Sequence, residues 1–393
     1  MTLSNTLEQL HSEMRQWRQH LHRFPETAFE ETQTAEFIAD KLKSFGLEVH
    51  QGLGKTGVVG TLSVGDSDKK IALRADMDAL FIQEKNTFAH KSCHDGKMHA
   101  CGHDGHSAML LGAAKYLSEN RNFNGTVYFI FQPAEEGRAG AQQMITDGLF
   151  EQFPTDSVFG MHNFPDIPIG QFAVKTEAMM ASFDCLEITL TGQATHAAMP
   201  HLGNDTILTA AQLITAIQSI VSRNVNPADA AVVSITQIHA GSTWNAIPET
   251  VVLRGTFRCF SLAVKSLIAD KLSHLVQHIC TGFDIKATLE FNPENAGYPV
   301  TFNTGPETAL ALQAAIEVAG EEGVNTNPKP SMGSEDFAFM LQEKPGCYLW
   351  IGNGSSENSC LLHNPHYDFN DEILAIGATY WIKLVEITLG SKT

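Results

Sequence analysis

Five short apolar runs constrain this chain most: Val58–Val64, Ile71–Arg74, Thr126–Phe131, Ser157–Met161 and Cys347–Ile351. Each is rich in β-branched or aromatic residues, the composition of a strand buried on both faces. Helical segments alternate with them. Leu3, Leu7, Leu10, Met14, Trp17 and Leu21 recur at steps of three and four, as on an amphipathic helix. Further helices are predicted over Thr34–Phe45, His106–Leu117, Ala139–Thr146, Glu307–Val318 and from Asp371 onward. Gly46 stands where the second of them should stop. Strands alternating with helices imply an α/β fold, a mixed and mostly parallel sheet flanked by helices. Sites in such sheets lie beyond the carboxyl ends of the strands. Asp76 and Asp78, Glu135 and Glu136, His162, and (after a loop) His363 each follow one of these runs.

A second dense cluster joins them. His99-Ala100-Cys101-Gly102-His103-Asp104-Gly105-His106 places three imidazoles, a thiol and a carboxylate within eight residues. Histidine and cysteine bind transition metals readily, and glycine lets the backbone turn tightly between ligands.

From about residue 180 the pattern changes. Strands Ser182–Thr191, Ala231–Ile238, Thr250–Phe257 and Ile285–Phe291 alternate with helices Asp205–Val221 and Leu262–Cys280. The order β-α-β-β-α-β is that of a ferredoxin-like unit. We therefore expect residues 182–292 to be an inserted α+β lid domain, and residues 1–181 and 293–393 to form the catalytic domain. Asn292–Gly297 has the Pro/Gly/Asn content of the chain crossing back. A length of 393 residues agrees with two domains.

Charge narrows the partners. Lys and Arg number 26 against 44 Asp and Glu, a net charge of −18, so neither nucleic acid nor an anionic membrane is expected to bind. The first 24 residues are charged throughout and lack the apolar core of a signal peptide. Seven cysteines, an odd number without CxxC pairing, argue against a disulfide framework and for a cytoplasmic location.

Cys101, His103, one of Glu135 and Glu136, His162 and His363 are the candidate metal ligands. One zinc takes about four ligands including water, so five from the protein suggest two metal ions and a bridging group. A thiolate favours zinc, and manganese, cobalt and nickel remain compatible. Adjacent glutamates in an extended segment point to opposite faces, so the two divide their work. One binds metal and the other takes a proton from water whose pKa a metal has lowered to about 7. Spacing does not say which does which.

These segments carry a resemblance. Arg74–Leu80, Met98–His106, Gln132–Gly137, Gly160–His162, Thr195–Pro200, Asn245–Glu249, Met332–Phe337 and His363–Phe369 are similar, in order, to the M20 family of metallopeptidases. The similarity is to its amidohydrolase branch, which includes hippurate hydrolases, N-acetyl-amino-acid deacetylases and auxin-conjugate hydrolases. The resemblance implies hydrolysis of the amide of an N-acyl amino acid, with a di- or carboxypeptidase as the nearer alternative. A non-catalytic metal-binding protein on the same scaffold is the farther one. It assigns Cys101, His103, Glu136, His162 and His363 to two divalent metals and Glu135 to the base. It makes Asp78 the carboxylate that orients a ligand, and gives Asp76 either a metal-related or a structural role. In the lid it implies His196 as donor to the developing oxyanion, Asn245 and Arg258 as holders of the substrate carboxylate, and a homodimer contact. His99, Asp104 and His106 become supports, and His201, His239 and His366 are structural. Phe81 stands where the family usually has proline, a change at the pocket rim rather than in the metal chemistry.

Overall fold

The structure, a computed structural model, describes residues 3–293, 297–354 and 360–390. Residues 294–296 of the expected crossing and 355–359 of the loop before His363 lie outside the described residues. The chain begins with α1 (Leu3–Arg23), α2 (Thr32–Ser44), β1 (Glu48–Leu53), β2 (Gly57–Val64) and β3 (Lys70–Asp76). It continues with α3 (His103–Glu119), β4 (Gly125–Gln132), the single turn α4 (Glu135–Arg138), α5 (Gly140–Thr146) and α6 (Leu149–Gln152). β5 (Ser157–Pro165), β6 (Phe172–Ala173) and β7 (Glu177–Met180) follow. The inserted stretch holds β8 (Asp184–Thr191), β9 (Thr195–His196), α7 (Thr206–Ser219), β10 (Ala231–Ala240), β11 (Ala246–Ile247), β12 (Thr250–Cys259), α8 (Leu262–Gly282) and β13 (Lys286–Phe291). The chain then returns through β14 (Thr301–Asn303), α9 (Gly305–Ala319), β15 (Val324–Asn325), α10 (Phe337–Glu343), β16 (Gly346–Gly354) and α11 (Leu374–Leu389).

These elements form two compact units, one of residues 1–179, 301–329 and 336–393, the other of 180–300 and 330–335. The first is built on an eight-stranded sheet in the order β1-β2-β4-β3-β5-β16-β6-β15. Its centre, β4-β3-β5-β16, is parallel, while β1, β2 and β6 join antiparallel. This is the mixed, mostly parallel sheet that the strand–helix alternation predicts. β16 comes from the end of the chain yet sits inside the sheet, beside β5. Helix α3 lies between β3, α1 and α11 and is buried on nearly every face, with only Lys115, Ser118 and Glu119 outside its buried set. That burial matches its run of Ala, Leu, Met and Gly.

The second unit has a four-stranded antiparallel sheet in the order β10-β12-β8-β13. Numbered within the unit this is 2-3-1-4, the ferredoxin-like arrangement, with α7 and α8 packed together. Its core is its own: Leu186, Ile188, Leu190, Leu213, Ile217, Leu253 and Ile268 are buried in one cluster. The strand expected from Ser182 begins two residues later, at Asp184, while Asp205 opens the helix as expected, capping α7 by accepting the Leu208 amide at 2.8 Å. The unit also takes in Pro330–Glu335, which the sequence leaves with the first. The cause is local: the Ala181 amide donates to the carbonyls of Ser331 and Gly333 at 3.0 Å.

Leu111 is fully buried in α3. Leu111→Ala is expected to lower the unfolding free energy by about 2–5 kcal/mol, the range for such a cavity. Urea denaturation followed by tryptophan fluorescence would measure it, and a loss under about 1 kcal/mol would show that α3 is not the packing centre.

Candidate metal centre and active site

Strand β3 ends at Asp76, and Asp78 follows two residues later with its side chain buried. One carboxylate oxygen of Asp78 accepts from His103 Nδ1 at 3.1 Å and the other accepts the Glu136 amide at 2.9 Å. A single carboxylate thus fixes two candidate ligands from different segments.

The expected helix from His106 begins three residues earlier, at His103. Gly102 makes this possible: it takes φ +95°, and its carbonyl accepts the amides of Gly105 and His106. The usual Ser, Thr or Asp signal at the cap is missing, so periodicity alone starts the helix too late. A Cβ on Gly102 would lie 2.2 Å from Asn163 Oδ1, so the loop closes onto β5 only with glycine there. His103 and His106, three apart, share a helix face, yet their surroundings differ. His106 is hydrogen-bonded at both nitrogens, to Asp76 Oδ1 at 2.6 Å and to Asn163 Oδ1 at 2.7 Å. It supports the site and has no nitrogen left for a metal. His103 Nε2, by contrast, is buried with no hydrogen-bond partner.

The other two strand ends also differ from expectation in local form. β5 runs on to Pro165, so His162 stands within the strand instead of after it. Its Nδ1 donates to the Asn163 carbonyl at 2.6 Å, leaving Nε2 beside Cys101 Sγ at 3.4 Å. Glu135 and Glu136 are not extended. Ala134 takes a left-handed conformation (φ 55°), and the turn after it holds Glu136 and Gly137 away from helical angles. This turn, and not strand alternation, sets their directions, and both carboxylates reach the same group beside His103 instead of opposite faces. His363, also left-handed at φ 63°, donates its amide to the Ala100 carbonyl at 2.7 Å. That bond pins it beside the Cys101 loop.

The side chains therefore converge. Cys101, Glu136 and His363 each offer an atom within 4.8 Å of the others, and so do His103, Glu135 and Glu136. A further group joins Asp76, His103, His106 and His162. Glu136 Oε1 lies 3.2 Å from His363 Nε2 and 3.9 Å from His103 Nε2, and no hydrogen bond reaches it although it is buried. Glu135 accepts the Asp336 amide at 3.4 Å.

The electrostatics need cations. Burial, and then the charges of Glu136, Glu135 and Asp76, hold the Cys101 thiol well above its usual range. Burial lowers His162 well below the ordinary imidazole value, so it is neutral and able to donate a lone pair. For His103 burial is outweighed by the charge of Asp76 and by the bond to Asp78, which push it up to about 10. Without metal it therefore carries a proton that a divalent ion would displace. Orphaned buried ligand atoms, a thiol suppressed by carboxylates and a proton waiting to be displaced all fit metal ions at this place.

The sequence leaves Arg74, Asp336, Arg18, His22 and Glu31 unassigned, while Asp104 and His99 are among its expected supports. Arg74 is fully buried and donates to Gln132 Oε1, Asp76 Oδ2 and Asp336 Oδ1 at 2.8, 2.8 and 3.1 Å. Asp104 pairs with His22 at 2.9 Å and Arg18 at 3.7 Å, both on α1. His99 has both ring nitrogens buried without partners, and burial lowers it to about 3; it is a neutral support. Glu31 is wholly buried and accepts the Ala134 amide at 2.9 Å. Arg74 and Asp336 stood within recognised motifs, but nothing in the spacing signalled Arg18, His22 or Glu31.

In the second unit, His196 and Asn245 are brought together by the β9–β11 ladder, where Ala246 faces His196 and the Ala197 amide donates to the Asn245 carbonyl. His196 Nδ1 accepts the Ala198 amide at 3.0 Å, so its proton resides on Nε2. Arg258 is elsewhere. It follows the Phe257–Asp184 pair, whereas β9 and β11 lie beyond the Thr250–Thr191 pair at the other end of the β8–β12 ladder. Eight residues of strand, about 25 Å, separate Arg258 from Thr250. Arg258 donates to the Met332 carbonyl at 2.7 Å and stacks over Phe183.

Comparison with known proteins shows the family of the chain. Residues 72–387 match the family described as peptidase family M20/M25/M40. A hippurate hydrolase of Campylobacter jejuni is 44% identical over 98% of this chain and 98% of its own. An N-acetyl-L-cysteine deacetylase of Bacillus subtilis is 40% identical, covering 93% of this chain and 85% of its own. Among solved structures, a dinuclear metal binding peptidase of the M20 family from Bacillus subtilis superposes with a TM-score of 0.84 at 33% identity, over 97% and 99% of the two chains.

Asp78→Asn keeps the shape but replaces one oxygen with a donor that faces either His103 or the Glu136 amide. Metal affinity is expected to fall about 10–100-fold, as for other groups that orient ligands. Competition with a chromogenic chelator would measure it, and unchanged affinity would refute the orienting role.

Proposed function

Because the chain belongs to peptidase family M20/M25/M40 and is a metal-dependent amidohydrolase, we propose that it hydrolyses the amide bond of N-acyl amino acids, releasing a carboxylic acid and a free amino acid. The observation that carries this reading is the buried cluster itself, with ligand atoms of His103 and Glu136 left without hydrogen bonds beside Glu135. The hippurate hydrolase and N-acetyl-L-cysteine deacetylase relatives support the substrate class.

Cys101, His103, Glu136, His162 and His363 would hold two divalent ions, with zinc favoured by the thiolate. When bound, such ions lower the pKa of water to about 7 and polarise the scissile carbonyl. Glu135 takes the proton of the attacking water and delivers it to the leaving amine. His196 donates from Nε2 to the developing oxyanion. Arg258 suits the amino-acid carboxylate because its guanidinium pairs bidentately, and Asn245 adds a polar contact. Closure of the inserted unit as a lid would exclude water.

His196, in the β9–β11 sheet, lies beyond one end of the β8–β12 ladder and Arg258 beyond the other, too far apart to grip one small molecule. A site that uses both takes them from two copies of the chain, which supports the homodimer reading. Among the described residues no helix is long and apolar enough to cross a membrane.

Glu135→Gln is expected to keep its metal and lose turnover by about 10²–10⁴-fold, measured on N-acetyl and N-benzoyl amino acids with dipeptides in parallel. Retained turnover would remove Glu135 as base, and faster turnover of dipeptides would move the substrate class to peptides. Mixing His196→Ala with Glu135→Gln, each inactive alone, is expected to restore roughly a quarter of wild-type activity after random subunit exchange. No recovery would place His196 in its own chain's site.

A further inference from the structure

Glu31 sits at the N-cap of α2, where a side chain usually accepts from the helix amides, yet it makes no such bond. Glu26 does that work, accepting the Thr34 amide at 2.9 Å. Glu31 turns the other way. It is wholly buried, one oxygen accepting the Ala134 amide at 2.9 Å and the other accepting the Thr56 hydroxyl at 2.7 Å. A buried carboxylate that is not needed for capping is costly. Burial and the neighbouring charge of Asp78 push it up to about 7, which makes its retention there more in need of a reason.

The Ala134 backbone supplies that reason. Ala134 is left-handed, at φ 55° and ψ 40°, a conformation that disfavours any residue with a Cβ and persists only when its surroundings impose it. Ala134 immediately precedes Glu135. Two carboxylates grip the turn around that residue: Glu31 holds the amide before it and Asp78 the amide after it. We propose that Glu31 is a positioning residue that aims Glu135 by locking Ala134 in its left-handed conformation. The proposal rests on Glu135 being the base. Glu31 acts through the backbone alone. Releasing Ala134 moves Glu135 first, while Glu136 keeps its own anchor on Asp78, so proton transfer suffers before metal binding does.

The test compares Glu31→Ala, Glu31→Gln and Glu135→Gln as zinc-loaded holoenzymes acting on N-benzoylglycine, with metal content measured for each. Glu31→Ala is expected to lose about 10–100-fold in kcat, as for a catalytic group displaced by about 1 Å. Its KM should change by no more than about threefold, and its metal content should equal that of the wild type. Glu31→Gln is expected to recover kcat to within about threefold, its amide oxygen taking the Ala134 amide and its NH2 donating to Thr56. If Glu31→Ala does not fold, Glu31→Asp, shorter by one methylene, reads the same loss in kcat. A folded Glu31→Ala with wild-type kcat, a loss of metal along with kcat, or no recovery in Glu31→Gln would overturn the proposal. Inactive Glu135→Gln beside a wild-type-like Glu31→Ala refutes Glu31 alone. Active Glu135→Gln removes the base and the role of Glu31 with it.

Discussion

The centre depends on one carboxylate. Asp78 accepts a ring nitrogen from the first residue of α3 and a backbone amide from the turn after β4, so two segments that never pair as strands are held in register. A carboxylate this deeply buried is tolerated because both of its oxygens are hydrogen-bonded. The same bond that orients His103 directs its other nitrogen toward Glu136. Loss of the carboxylate would therefore disturb both segments at once, and the geometry of the cluster is cooperative for that reason.

Behind this lies a second buried layer of charge. His22 is held between Asp104 and Glu84, at 2.9 and 3.3 Å. Burial would lower it, but these hydrogen bonds outweigh burial and push it up to about 9. Arg18 on the same helix reaches Asp368 at 2.7 Å and Asp371 at 2.8 Å. Helix α1 thus ties the start of α3 to the segment that follows His363. Paired charges of this kind contribute little net stability; what they add here is a fixed position for residues beside the candidate ligands.

How much of this is legible in the sequence depends on the kind of signal. The strands, α3 and the parallel sheet follow from apolar runs, and the polar residues at strand ends point to one crevice. Local turns are less legible. The start of α3 at His103 depends on the left-handed Gly102, and the placement of Glu135 and Glu136 on one group depends on a left-handed alanine, which no propensity favours. Glu31 lies in an acidic stretch, Pro25-Glu26-Thr27-Ala28-Phe29-Glu30-Glu31, that reads as a solvated surface. Only the fold separates Glu31, wholly buried, from its neighbour Glu30, which pairs with Lys97 near the surface. In the second unit the strand order is legible, but the distance between Asn245 and Arg258 is set by register, which thirteen residues of sequence separation conceal.

The late arrival of β16 has a consequence for how the protein is made. This strand belongs inside the first unit's sheet, beside β5, and His363 follows it. Until β16 has been synthesised, β5 has no neighbour on that side, and the proposed ligand set lacks His363. The inserted unit, with a core of its own, needs none of those residues and can fold while it waits. Metal capture by the proposed ligand set would thus wait for His363. A product that ends before β16 leaves the apolar edge of β5 uncovered, the kind of edge that favours aggregation.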